Sequence, residues 1–194
     1  MATQVLYISE NRLKESTTIS NNVDTELLVP NIKIAQDKYI LTKLGSKLDD
    51  KLQKLIQDDQ LDDVGNENYK KLVNIYIQPS LIQWTLYESI IFLGFKFQNK
   101  DIMRKNSETG SPASLDDLKF LREEVRNTSE WYTERLVDYL CHNNNLFPEY
   151  SQNTNEDVRP SKHNYFNGMN LELMPKKRIG NVTLNDFLDS NLSQ

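Results

Sequence analysis

One run constrains the fold more than any other: "ENYKKLVNIYIQPSLIQWTLYESIIFL", residues 67–93. Tyr69, Leu72, Val73, Tyr76, Ser80, Trp84, Tyr87 and Ile91 recur at helical spacing and trace one face. Ile75, Ile77, Leu81, Ile82 and Leu86 fill much of the rest. A helix apolar nearly all round has to be covered on several sides, by its own domain core or by neighbouring subunits. The polar ends of Tyr and Trp also suit an interface, with the core as the simpler assignment. Pro79 removes one intrahelical donor, so the pattern predicts a kink or break near residues 75–79. The most apolar string, "SIIFLGFKF", is far too short to span a bilayer, and "MATQVLYISENRLKE" lacks the apolar centre of a signal peptide. A soluble protein with no membrane association is the expectation.

Two further stretches read as helices on either side of this one. In "VPNIKIAQDKYILTKLGSKL", residues 29–48, Pro30 suits a helix start and Gly45 a helix stop, which predicts a helix over 30–44. Ile32, Ala35, Tyr39, Ile40 and Leu44 share its apolar face, and Gln36, Asp37 and Lys38 read as a solvated or subunit-facing surface. Leu48, Leu52 and Leu55 begin a second amphipathic helix at once, making an αα corner. Downstream, Ser114 and Asp117 resemble a capping box opening "SLDDLKFLREEVRNTSEWYTERLVDYLCHN". Leu115, Leu118, Leu121, Val125, Tyr132, Leu136 and Tyr139 form its expected core stripe. Such a helix would be roughly 45 Å long at 1.5 Å per residue, and the Asn run and Pro148 of "NNNLFPEY" stop it.

The fold expected is therefore all-α: a compact bundle of about four helices, with an extended loop or hairpin arm and extended N- and C-terminal segments. Residues 1–27 read as an N-terminal arm, with Val5 to Ile8 as a short strand or docking piece. Residues 28–150 read as the helical domain and 151–194 as a docking tail whose apolar residues are scattered rather than periodic. Between the helices, Phe95 and Phe97 alternate with polar residues, and Ile102 follows before a polar stretch up to Pro112. That connection is long for a helical protein, and long loops often carry function.

Composition narrows the function. The chain has 194 residues, 38% of them hydrophobic, with only 6 Gly and 6 Pro, which disfavours a many-turned β-fold. The net charge of −5 and a single basic triplet, Lys176, Lys177 and Arg178, argue against a phosphate-gripping surface. A lone cysteine, Cys141, rules out an internal disulfide framework. Catalytic patterns are missing: no GxGxxG, Walker A, HExxH or GxSxG motif occurs. Cys141 and His142 are adjacent, so on a helix their side chains diverge by about 100°. Cys141 reads as a small, semi-buried residue and His142 as a cation at a helix C-terminus. The pairs Asp116/Asp117 and Glu123/Glu124 read as solvated helix face, and placing Gly65 at the sixth position of a calcium loop puts Lys71 where a bidentate Glu belongs. Neither an enzyme, a cofactor nor a metal site is expected.

The order of parts carries a resemblance. "LLVPNIKIAQDKYILTKLGSKL" with its Ala-Gln before a Leu-Gly, then the long apolar helix, then a helix ending in "FPEY" resembles the head–tail connector (adaptor) proteins of tailed bacteriophages, over roughly residues 27–150. The chain is similar in particular to the ring proteins of crAss-like phages. The resemblance implies a homo-oligomeric ring, dodecameric in such collars, below the portal vertex and joining head to tail. It implies the portal protein and other neck or tail rings as partners, DNA passing through the lumen without specific binding, and a place in the virion after assembly in the host cytoplasm. Candidate partner-binding residues then lie in the hairpin arm (Phe95, Phe97, Ile102) and the tail (Tyr165, Phe166, Met169, Leu171, Leu173, Met174, Lys176, Lys177, Arg178). A different class also fits these residues: a cytoplasmic helical adaptor or regulator binding a host or phage protein.

Overall fold

The structure, a computed structural model, describes residues 5–97, 102–104, 114–152 and 157–162. It is all-α. In chain order α1 spans Glu10–Ser16 and α2 Thr25–Ala35, which runs on through a π segment, Gln36–Ile40, into α3, Leu41–Leu44. After α4 (Ser46–Gln57) comes a second interrupted rod: α5 (Glu67–Lys71), a π segment (Leu72–Ile77) and α6 (Gln78–Gly94). Strands β1 (Phe95–Phe97) and β2 (Ile102–Arg104) pair antiparallel and close only a hairpin; α7 (Leu115–His142) and the short α8 (Pro148–Ser151) follow. The four expected helices are thus the rods 25–44, 46–57, 67–94 and 115–142, and the hairpin arm is real.

The apolar run is the centre of the molecule, as its pattern demands. α6 packs against both α2 and α7, and Leu72, Ile77, Leu81 and Trp84 are buried with Leu28, Ile32, Ile40, Leu44, Leu48 and Leu52. Each such side chain contributes about 1.5–3 kcal/mol through burial. The expected irregularity before Pro79 takes the form of wide turns: the Gln78 N–H bonds the carbonyl of Val73, five residues back. A proline at 79 cannot donate to Ile75, so the helix loses one regular bond there and accommodates an extra residue.

Aromatic stacking and a buried hydroxyl join these layers. Tyr39 stacks face to face on Trp84 at 3.8 Å, and Tyr76 stacks on Tyr139 at 3.9 Å. The Trp84 indole donates to Thr133 Oγ1 at 2.8 Å, Ser80 Oγ lies 3.0 Å from the same oxygen, and Thr133 donates to the carbonyl of Ser129 at 2.8 Å. All four residues are buried, so this bridge satisfies its own polar groups internally.

Three expectations change at the N-terminal end. The first long helix starts at Thr25, not at Pro30, which lies inside α2. Its missing N–H leaves the carbonyl of Glu26 without the usual partner, close enough to the helix start for the helix to survive. Gly45 does end the rod, but at φ 77° and ψ 157°, a left-handed extended conformation rather than the helical one. The N-terminal segment is not a free arm. Tyr7, Ile8, Leu13 and Ile19 are buried in the same core, and α1 occupies "ENRLKES". Ser9 caps it by accepting from the Arg12 N–H. Sequence periodicity misses α1 because so short a helix shows a single buried residue, Leu13.

The start of the expected tail also docks on the same chain. Val158 exchanges two hydrogen bonds with Ser46, its N–H to Ser46 Oγ at 2.8 Å and its carbonyl from the Ser46 N–H at 3.0 Å. Ser161 donates to the carbonyl of Thr42. These contacts satisfy groups left open where α3 ends and α4 begins.

Candidate functional site

Cys141 is exposed, not semi-buried, because the last turn of α7 turns it away from Leu140. His142 is exposed and its Nδ1 meets the carbonyl of Asp138 at 2.8 Å, as suits a helix C-terminus. Asp117 completes the capping box with Ser114, and hydrogen bonds from Ser114 hold its carboxyl below the ordinary aspartate value. Lys119 pairs with Asp116, and Arg126 with Glu123 and Glu130 along α7. These are surface pairs of small energetic weight.

Two buried polar groupings stand apart. In the first, Glu88 of α6 accepts from Lys38 Nζ and, at 2.7 Å, from the Tyr39 hydroxyl. Burial pushes the Glu88 carboxyl up, but these two donors and the charges of Lys38 and Arg122 outweigh it and leave it below the ordinary glutamate value. Arg122 lies over the Tyr87 ring at 4.1 Å. The grouping is a charged clasp between the first long rod, α6 and α7.

The second grouping holds residues 5–8. Gln36, expected at the surface, is 0% exposed. Its Oε1 accepts from the Tyr7 N–H at 3.1 Å and its Nε2 donates to the carbonyl of Val5 at 2.8 Å. Gln78 Nε2 donates to the carbonyl of Tyr7 at 3.0 Å, and the Tyr7 hydroxyl donates to Asp49 Oδ1 at 2.6 Å. Gln53 donates to the other oxygen of Asp49. Burial raises the Asp49 carboxyl above its usual range despite those donors, and burial together with Asp49 raises Tyr7. A polar residue mid-helix is normally at the surface, whereas the environment of Gln36 depends on a segment more than twenty residues away in the chain.

The surface that best suits a partner is on α7. Its N-terminal half was expected to bury Leu115 and Leu121, yet both are exposed, and Phe120 and Trp131 are 70% and 58% exposed. The antiparallel pairing of α6 and α7 explains this. It can be followed from Tyr76 against Tyr139, through Trp84 on Thr133, to Tyr87 under Arg122. Past that point α7 is covered only along the narrow side that carries Leu118, Arg122 and Val125, which are half-buried, and Leu115, Phe120 and Leu121 lie off that side. Phe120 and Trp131 lie eleven residues apart, about three turns, and so share a face opposite the buried Ser129, Thr133 and Leu136. The eleven-residue spacing is visible in the sequence, but the leucine stripe obscures it.

Of the expected partner-binding residues, Phe95, Phe97 and Ile102 fall in the hairpin at this end of α6. Its register pairs Phe97 with Ile102 and Phe95 with Arg104, which puts positions 95, 97 and 102 on one side of the ribbon. Tyr165, Phe166, Met169, Leu171, Leu173, Met174, Lys176, Lys177 and Arg178 lie outside the described residues. Ile91 and Phe92, at the end of α6, are also exposed. The hairpin, Ile91 and Phe92, and Leu115, Phe120 and Leu121 therefore lie toward one end of the α6–α7 pair, whereas Trp131 lies farther along α7, near the level of Trp84.

Among the described residues, no helix is long and apolar enough to cross a membrane. No curated protein and no solved structure matches the chain. A protein family does: the Family of unknown function (DUF6712), over residues 40–160. That span runs from the last residue of the first π segment, through α4, α6, the hairpin and α7, to the segment that docks on Ser46. Since it takes in more than half of the sequence, the chain belongs to the DUF6712 family.

Proposed function

We propose that this chain is a structural virion protein, a subunit of a ring below the portal that connects a phage head to its tail and lets DNA pass through the lumen. The observation that carries the reading is the exposed apolar surface of α7, with Phe120 near the hairpin end and Trp131 about three turns farther along the same face. Large aromatic side chains left exposed on a stable helix mark a surface for another protein, and Trp is enriched among interface anchors. The Glu88 clasp and the Thr133 bridge are spent on holding helices together, which suits a scaffold. In a ring each subunit offers two different faces, joined head to tail until the circle closes. A net charge of −5 suits a lumen wall that passes DNA without holding it.

The portal and the adjoining neck rings are the other partners, with the hairpin and the tail as the elements that reach them. Electron microscopy of the purified protein, alone and with portal, tests the reading together with mass measurement. Closed rings and recovery of the protein from purified virions are expected. A single monomeric species at high concentration, with portal present, overturns it.

A further inference from the structure

We infer that Gln36, Gln78 and Asp49 form a peptide-reading groove, a binding site for an extended segment with a tyrosine at its centre, which the chain fills with its own residues 5–8. The inference is independent of the ring reading and rests on how that segment is held. Residues 5–9 form neither helix nor strand, yet Tyr7 and Ile8 are buried. The backbone is read by side-chain amides. Gln36 accepts the N–H of Tyr7 and donates to the carbonyl of Val5. Those are the two groups, two residues apart, that a parallel neighbouring strand would engage. Gln78 takes the carbonyl of Tyr7, and Asp49 takes the hydroxyl at the bottom of the site. Main-chain groups thus supply the attachment and one side chain the selectivity, which is the division of labour in strand-addition peptide sites.

The groove also accounts for the two irregular turns of the bundle. Gln36 opens the first π segment, its carbonyl accepting from the Leu41 N–H, and Gln78 directly follows the second. A wide turn inserts one residue and shifts the side-chain register by about 100°. Both insertions flank the same segment, from separate helices. Wide turns are costly in regular helices and concentrate at functional sites. Ser9, which caps α1, marks where the held segment ends and the helix begins, so the segment can leave while α1 keeps its cap.

The test uses the full chain and a labelled synthetic peptide of residues 1–9. In the wild-type chain the tethered segment competes at an effective concentration of about millimolar, so the peptide binds weakly. A full-length Tyr7→Ala chain, with its own segment weakened, binds the peptide at least about 10-fold more tightly than wild type does. Adding Gln36→Ala to that chain abolishes the gain. A peptide carrying Tyr7→Phe binds about 10-fold more weakly than the parent peptide. Equal binding to all chains, or none to a folded Tyr7→Ala chain, overturns the inference. Hydrogen exchange on the wild-type chain gives a reading that needs no variant: the Tyr7 amide should exchange at least about 100-fold faster than that of Leu48, through local release. Exchange of both at the same rate, by global unfolding alone, refutes a separable site, as does unfolding of the Tyr7→Ala chain.

Discussion

Replacing Thr133 by Val is the sharpest test of what joins α6 to α7. The two side chains have nearly the same shape, so no cavity is made. What disappears is one oxygen that accepts from the Trp84 indole at 2.8 Å and lies 3.0 Å from Ser80 Oγ. Trp84 and Ser80 are both buried, so water cannot replace it. A buried donor left without a partner costs about 1–3 kcal/mol. Ser80 can rotate toward its own helix, whereas the indole N–H is fixed by the Tyr39 stack, so one orphan is the secure loss. The added apolar methyl returns little, and about 2 kcal/mol of destabilisation is the expected net. In urea, at an m value of about 2 kcal/mol per molar, the midpoint falls by about 1 M. Thr133→Ser keeps the oxygen and should recover most of that loss. A double-mutant cycle with Trp84→Phe should show the two effects to be strongly non-additive. A Thr133→Val midpoint within about 0.2 M of wild type would refute the bridge as a stabilising element.

Gly45→Ala places a Cβ where φ is positive and ψ extended, and should destabilise by about 1–3 kcal/mol in thermal or urea unfolding. The two buried carboxylates should pull the acid limb of stability in opposite directions. The Glu88 carboxyl lies below its ordinary value in the folded chain, so its contribution is present above that ordinary value and is lost as pH falls through the shifted one. Glu88→Gln should remove that part of the acid loss. Asp49, which faces Tyr7, Gln53, Asp50 and Asp37, is raised, so its contribution is present at low pH and lost as pH rises through the shifted value. Asp49→Asn should therefore gain relative to wild type with rising pH, as measured by urea midpoints across the acid range. Phe120→Glu and Trp131→Glu should leave monomer stability within about 0.5 kcal/mol, since both side chains are exposed, while lowering the assembled mass in light scattering. Unchanged assembly in both variants would remove α7 from the proposed subunit interface.

The sequence by itself determined the helical class, the central place of residues 67–93, the corner at Gly45 and the capped start of α7. Each of these follows from contacts within a few residues: apolar spacing, a glycine's access to positive φ, and a Ser hydroxyl meeting the N–H three residues on. The hairpin was legible for the same reason, as alternation at Phe95 and Phe97. What the tertiary structure alone decided is where these local pieces stop being covered. Leu121 and Leu136 sit on one apparent stripe, yet only Leu136 is buried, because the first turns of α7 are covered along one narrow side alone. Gln36 looks like a surface residue within its own helix and becomes the anchor of the N-terminal segment only when residues 5–8 reach it. Burial and hydrogen-bond satisfaction are properties of two segments brought together, and periodicity within one segment cannot name the other.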